Sequence, residues 1–341
     1  MKSKTKIKAG ILGATGLIGQ VFIKILSDHP VFEPVFISGS GEGGELYRDR
    51  VRWKLPFDLP EKAGSLIVSG YNKDALKEKG IKYVFSALPS DIAGEIESDL
   101  REDGFYVFSN AGAHRNERDV PILIPDVNPE SLDLIREQGY PENGFIVTNP
   151  NCSTSGLTVA LAPLKKFGIE EITVSTYQAV SGAGYPGLSA MDISNNVIPH
   201  IEGEEEKIVR ETKKILNIST DIFPSCVRVP TLYGHLETVW IKFRKTPGTG
   251  DIINSWRHFI PKIKTYSLTK RSIEYTEDPD SLRNDLSFRG DPPGMQVFTG
   301  CLRKTGDKIG FSLLVNNLVR GGAGGSVANA ELFAEYNGEI K

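Results

Sequence analysis

Ile7-Lys8-Ala9-Gly10-Ile11-Leu12 is a short apolar run of β type, and after a glycine-rich turn Leu17, Ile18, Val21, Phe22, Ile25 and Leu26 recur at helical spacing. The pattern predicts a strand, a turn and a helix, and it repeats. Glu33 to Ser38 and Leu66 to Ser69 predict strands, and Asn72 caps a short helix. Ile81 to Leu88 predicts a strand ending at Pro89-Ser90, Ser90 to Asp103 a helix, and Tyr106 to Asn110 and Phe145 to Thr148 further strands. Alternating β and α elements to about residue 150 imply an α/β fold with a Rossmann-type, doubly wound parallel sheet.

After Asn149-Pro150 the texture changes. A helix from Cys152 to Phe167 precedes a β-branched strand, Ile172 to Val180, and a loop, Ser181 to Gly184. Glu202 to Leu216 predicts a charged helix, and Cys226 to Pro230, Glu237 to Phe243, Gln296 to Arg303 and Lys308 to Val315 predict long strands. Strands gathered in this way imply an α+β second domain with a largely antiparallel sheet. The expected division is 1–150, completed by a C-terminal helix over 318–341 that folds back onto the first domain, and 151–317.

Composition narrows the function. The 341 residues exceed the usual span of one domain, 39% are hydrophobic and 24% charged, and no run of about 18 apolar residues could span a bilayer. The net charge of −3 favours no polyanion, so neither nucleic acid nor membrane is an expected partner. The basic start, Met1 to Lys6, runs into too short an apolar stretch for a signal-peptide core. Cys152, Cys226 and Cys301 form no C-x-x-C pair, which suits a reducing cytoplasm and leaves one thiol free to work; no metal site is expected.

The first turn reads Gly10-Ile11-Leu12-Gly13-Ala14-Thr15-Gly16-Leu17-Ile18-Gly19. Between a strand and a helix, Gly13, Thr15, Gly16, Leu17 and Ile18 offer small residues and helix N-terminal amides to a pyrophosphate, although such turns also serve as plain connections. The second strand ends Ile37-Ser38-Gly39-Ser40, with no acid at its tip to take ribose hydroxyls. Ser38 and Ser40 therefore point to NADP rather than NAD, with Glu42 and Glu45 close behind and Arg48 the nearest arginine in sequence.

Asn149-Pro150-Asn151-Cys152-Ser153-Thr154 sets a cysteine where a strand stops and a helix starts. The amides and dipole there favour a thiolate, which makes Cys152 a candidate nucleophile; the plainer alternative is a small buried hydrophobe. Cys226 and Cys301, inside strand-like runs, are expected in the core.

These segments, together with Gln178-Ala179-Val180-Ser181-Gly182-Ala183-Gly184, Gly203-Glu204-Glu205-Glu206-Lys207, Arg228-Val229-Pro230, Gly234-His235 and Asn317-Leu318-Val319-Arg320-Gly321, resemble the aspartate-semialdehyde dehydrogenases, above all their archaeal and fungal branch. The resemblance covers nearly the whole chain. It implies NADP-dependent, reversible reductive dephosphorylation of L-aspartyl 4-phosphate to L-aspartate 4-semialdehyde in lysine, threonine and methionine biosynthesis. It also implies a homodimer or homotetramer built through the second domain.

By the same resemblance Cys152 forms the thioester and His235 is acid and base, which leaves the other four histidines ordinary. Gln178, Arg228 and Glu204 bind substrate, Arg228 its α-carboxylate and Glu204 its ammonium. Arg115, with Asn151 and Lys207, takes the phosphate, though Asn116 follows Arg115 where the family has methionine. Lys207 and Glu204 could equally form an exposed ion pair one turn apart. Ser181, Gly182 and Asn317 line the nicotinamide half of the cofactor. The rival within the fold is malonyl-CoA reductase, which uses the same thiol and histidine on a thioester. From another class, a non-catalytic NADP sensor would need neither Cys152 nor His235.

Overall fold

The computed structural model describes residues 6–41, 43–261, 263 and 265–340; Met1 to Thr5 and Glu42 lie outside the described residues. The chain forms two compact units, 1–123 with 130–149 and 322–341, and 124–129 with 150–321.

The first unit holds β1 (Ile7–Leu12), β2 (Phe32–Ser38), β3 (Gly43–Leu46), β4 (Ile67–Ser69), β5 (Tyr83–Ser86), β6 (Tyr106–Ser109) and β7 (Phe145–Thr148). They lie in the order β3-β4-β2-β1-β5-β6-β7. Every pairing is parallel except β3 with β4, as the alternation of β and α elements requires. The edge strand β3 is absent from the sequence reading because its Gly-Gly-Glu-Leu run carries almost no β signal. Leu12, Val84, Val107 and Ile146, from four successive strands, share one core cluster.

The helix Gly324–Tyr336 belongs to this unit and is buried on all sides from Gly324 to Ala334. Phe333 explains its docking: the ring lies 4.6 Å from that of Phe145, 4.9 Å from Tyr106 and 5.4 Å from Tyr140, edge on to each.

In the second unit β8 (Ile169–Ala179), β9 (Asp221–Val229), β10 (His235–Phe243), β11 (Ile273–Tyr275), β12 (Val297–Thr305) and β13 (Lys308–Val315) form a sheet in the order β11-β12-β13-β10-β8-β9. Its three central pairings are antiparallel and the two outer ones parallel. Along β10 burial alternates with period two, so His235 and Glu237 face inward beside Val239 and Ile241. The first helix of this unit, Cys152–Leu161, gives way to a 3-10 segment at Ala162–Phe167 instead of running on to Phe167, because Pro163 lacks the amide the helix needs. Val180 likewise opens a 3-10 turn, Val180–Ala183, rather than ending β8.

Residues 124–129 leave the span expected of the first domain, and Asp126 forms a fully buried ion pair with Arg320 at 2.5 Å. Cys226 is buried, but Cys301 is exposed, contrary to its expected place in the core. The register of β12 shifts between Gly300 and Arg303, and Cys301 takes a positive φ of 51° there, which turns its side chain outward. Among the described residues no helix is long and apolar enough to cross a membrane.

Candidate active site

Cys152 opens its helix, and Asn151 caps it: Oδ1 accepts from the amides of Ser153 at 3.0 Å and Thr154 at 3.3 Å. Asn151 makes two further bonds: Nδ2 donates to Glu204 Oε2 at 2.8 Å and the backbone amide to Glu211 Oε2 at 2.6 Å. This threefold grip fixes the half-buried thiol at the helix start. Gly321 backs it so closely that a Cβ there would lie 2.8 Å from Cys152 Cα.

His235 begins β10 after Gly234, whose φ of +81° and closeness to Ser287 and the Asn284 carbonyl admit glycine alone. Asn317 holds the approach, accepting from the Gly234 amide and donating to Ser181 Oγ, each at 2.9 Å. The imidazole Nε2 then stands 3.1 Å from Cys152 Sγ. On its other side the Ala179 amide donates to Nδ1 at 3.1 Å. A neutral imidazole carries one proton, and a nitrogen that accepts from an amide cannot hold it. The proton therefore sits on Nε2 and faces the sulfur. Burial, and next the Arg228 charge, push His235 down to about 3 against smaller opposing effects of Glu204 and the Gly234 carbonyl, so the ring is neutral near pH 7.

Arg228 comes from β9, and its Nη1 donates to the Ala179 carbonyl at 2.9 Å. A Cβ on Gly182 would come within 2.7 Å of that nitrogen and 3.4 Å of the His235 ring, so Gly182 is the space both need. Burial lowers Arg228 while Cys152 and Glu204 pull it back up; a guanidinium stays charged throughout.

Glu204 starts the helix Glu204–Leu216. Lys207 Nζ donates to Oε1 at 2.9 Å, while Gln178 Nε2 donates at 3.3 Å to the same Oε2 that Asn151 holds. Burial raises this carboxyl, yet Lys207 and the donors on it outweigh burial and hold it below the usual carboxylate range. The Lys207–Glu204 contact is thus an ion pair with one buried end rather than a fully exposed one.

Cys152, His235, Asn151, Gln178, Arg228, Glu204, Lys207, Ser181, Gly182 and Asn317 all lie in the second unit. Sequence reasoning missed the Ala179 amide, Glu211 and Gly321, which act through backbone position or backbone contact and leave no side-chain signature. It also missed what is unusual about Glu237. Fully buried on β10, neither of its carboxyl oxygens has a hydrogen-bond partner among the described residues, and burial raises its pKa well above the carboxylate range.

The first unit carries the glycine turn. Gly13, at φ +74°, would set a Cβ 2.6 Å from the Ala87 carbonyl, and Gly19 would set one 2.1 Å from the Gly13 carbonyl. Gly16 caps the helix Leu17–Ser27 without any side chain, which leaves the face over the first-turn amides of Leu17 and Ile18 uncovered by a cap. A turn too tight for side chains and ending in uncapped helical amides fits a pyrophosphate. Thr15 lies against Gly39, and the Ala14 amide donates to the Ser38 carbonyl at 2.7 Å, joining the turn to the tip of β2. There Ser38 is buried and Ser40 exposed. Arg115 is buried in this unit, with Nη2 donating to the Asn110 carbonyl at 2.9 Å.

A dinucleotide-type sheet with its glycine turn, and a cysteine at a helix start within reach of an imidazole, define a thiol-dependent dehydrogenase. Family models described as the NAD-binding domain and the dimerisation domain of semialdehyde dehydrogenase match residues 8–135 and 161–320. The chain belongs to the semialdehyde dehydrogenase family.

It is 38% identical to the aspartate-semialdehyde dehydrogenase of Archaeoglobus fulgidus over 96% of this chain and 98% of that one. It is 34% identical to the malonyl CoA reductase (NADP) of Metallosphaera sedula over 96% and 97%. The crystal structure of Candida albicans aspartate-semialdehyde dehydrogenase with NADP superposes with a TM-score of 0.86 at 34% identity, covering 98% of this chain and 99% of that chain.

Proposed function

We propose that this chain catalyses the NADP-dependent, reversible reduction of L-aspartyl 4-phosphate to L-aspartate 4-semialdehyde. The observation that carries this reading is the 3.1 Å approach of His235 Nε2 to Cys152 Sγ, with Arg228 and Glu204 in the same unit. The helix start, the Arg228 charge and the Nε2 proton all favour a sulfur anion. The thiolate attacks the acyl carbonyl, a C–S bond forms, and the C–O bond to phosphate breaks to leave a thioester on Cys152. His235 serves first as a donor. Taking the thiol proton on Nε2 would require a proton on Nδ1, head on to the Ala179 amide.

Arg228 suits an α-carboxylate, and Glu204 an ammonium that replaces or joins Lys207. Lys207 and Arg115 supply charge for the phosphate. Asn151, which spends one of its two Nδ2 hydrogens on Glu204, places Cys152 and Glu204 and has its second N–H to offer the phosphate. Gly13, Thr15, Gly16, Leu17 and Ile18 would hold the cofactor's pyrophosphate, and Ser181, Gly182 and Asn317 its nicotinamide. Bound NADPH would supply a hydride to the thioester carbon, and the C–S bond breaks to give the aldehyde and return the Cys152 thiolate. We assign the working form to a cytoplasmic homodimer or homotetramer, since the second family model is described as a dimerisation domain.

A second reading, malonyl-CoA reduction, is supported by the Metallosphaera relative. One spectrophotometric comparison separates them: phosphate-dependent oxidation of the semialdehyde with NADP, against NADPH consumption with malonyl-CoA. Activity on malonyl-CoA alone would replace the first reading with the second.

A further inference from the structure

The glycine turn is tied at three points to the tip of β2 and the short helix that follows β3. Ser38 accepts from Ala14, Gly39 packs on Thr15, and the Tyr47 hydroxyl, fully buried, donates to the Ala14 carbonyl at 2.8 Å. The last of these fixes the short helix Tyr47–Arg50, and its final residue returns to the strand tip. Arg50 Nη2 donates to the Ser40 carbonyl at 2.7 Å and would lie 3.1 Å from a Cβ on Gly41. Its other nitrogen, Nη1, meets Glu45 Oε2 at 3.0 Å. Arg48, closer in sequence, lays its side chain along Gly64 instead.

In this class of fold the tip of β2 is where the adenosine ribose is read, and a guanidinium there accommodates a 2′-phosphate. The tip carries hydroxyls and no acid, so the charge has to come from elsewhere. We propose that Arg50 is the residue that selects the 2′-phosphate. Its guanidinium is held over Ser40 by a backbone carbonyl, and its partner Glu45 is 55% exposed in a loosely held surface pair, so phosphate oxygens can take the carboxylate's place. The inference rests on the NADP reading above.

The test is equilibrium titration of the unmodified chain, Arg50→Gln, Arg50→Lys and Glu45→Gln with NADPH and NADH, using 2′,5′-ADP and 5′-AMP as displacing probes. Arg50→Gln is expected to weaken NADPH and 2′,5′-ADP by about ten- to a hundredfold, the size of one lost hydrogen bond to a charged group, and to leave NADH and 5′-AMP unchanged. Arg50→Lys should recover part of the loss, and Glu45→Gln should tighten NADPH. If Arg50→Gln still prefers NADPH, or loses both cofactors alike, Arg50 is not the selector and the NADP reading stands. If the unmodified chain binds NADH as tightly as NADPH, the NADP reading itself fails.

Discussion

The backbone amide of Ala179 determines which nitrogen of His235 holds its proton. By donating to Nδ1 at 3.1 Å it leaves Nε2–H directed at Cys152, so the imidazole meets the sulfur as a donor. The pair is polarised before substrate arrives.

Replacing the sulfur tests the covalent step. Cys152→Ala should abolish turnover while cofactor affinity stays within a few fold, because the glycine turn lies in the other unit. Thiol labelling of the intact chain should mark exposed Cys301 as well as Cys152 and spare Cys226, whose thiol burial pushes up to about 12. Substrate should protect Cys152 alone, as peptide mapping would show. Turnover by the alanine variant would remove the thioester from the mechanism.

Donor and base roles at His235 can be separated. His235→Ala should cost about 10²–10⁴-fold in turnover. His235→Gln, whose amide can donate to the sulfur but cannot exchange a proton, should recover a measurable part of that loss. A glutamine variant as poor as alanine, with its fold intact by circular dichroism, would favour the base role.

The same histidine predicts acid lability. Its pKa lies near 3 in the folded chain and near 6.5 when unfolded, so between those values the unfolded chain binds the extra proton. Stability therefore falls as pH drops through this window, by about 1.4 kcal/mol per pH unit from this group. Urea midpoints from pH 4 to 6.5 should show a shallower slope in His235→Gln.

Glu237 predicts the opposite sign. A carboxyl raised by burial stays protonated when folded and ionises when unfolded, so its contribution is full at acid pH and is lost as pH rises. Glu237→Gln keeps the shape without the ionisation and should raise the melting temperature at pH 7–8, with little gain near pH 4. Destabilisation at pH 8 would mean that Glu237 is ionised and paired.

Gly321→Ala would press a methyl group to 2.8 Å from Cys152 Cα and Cβ and 2.9 Å from its carbonyl oxygen. Displacing that helix start should cost about 1–3 kcal/mol of stability and more activity than stability alone explains. Stopped-flow measurement of thiol reactivity against thermal melting would tell these apart.

What the sequence disclosed depended on how each feature is encoded. Strands with strong alternation or β-branched runs, such as β8 and β10, are written in side-chain chemistry and were legible; β3, two glycines and two neighbours on an edge, was not. Cys301 misled because a strand-like sequence does not reveal a bulge, and the bulge reverses which way one residue faces. Side chains of the site could be read from motifs. The Ala179 amide and the inward carboxyl of Glu237 depend on register between β8 and β10, which only the folded sheet supplies.

Neither unit is continuous in the chain: the backbone passes between them at 123, 129, 149 and 321. The unit that begins with the first strand ends with the last helix, where Phe333 fills the ring of Tyr106, Tyr140 and Phe145. In chain order the last strand of the catalytic sheet, β13, comes before the helix Gly324–Tyr336 that closes the nucleotide half. The first half to be synthesised is the last to be finished, and a nascent chain stopped short of residue 333 exposes the aromatic socket to whatever holds unfolded chains.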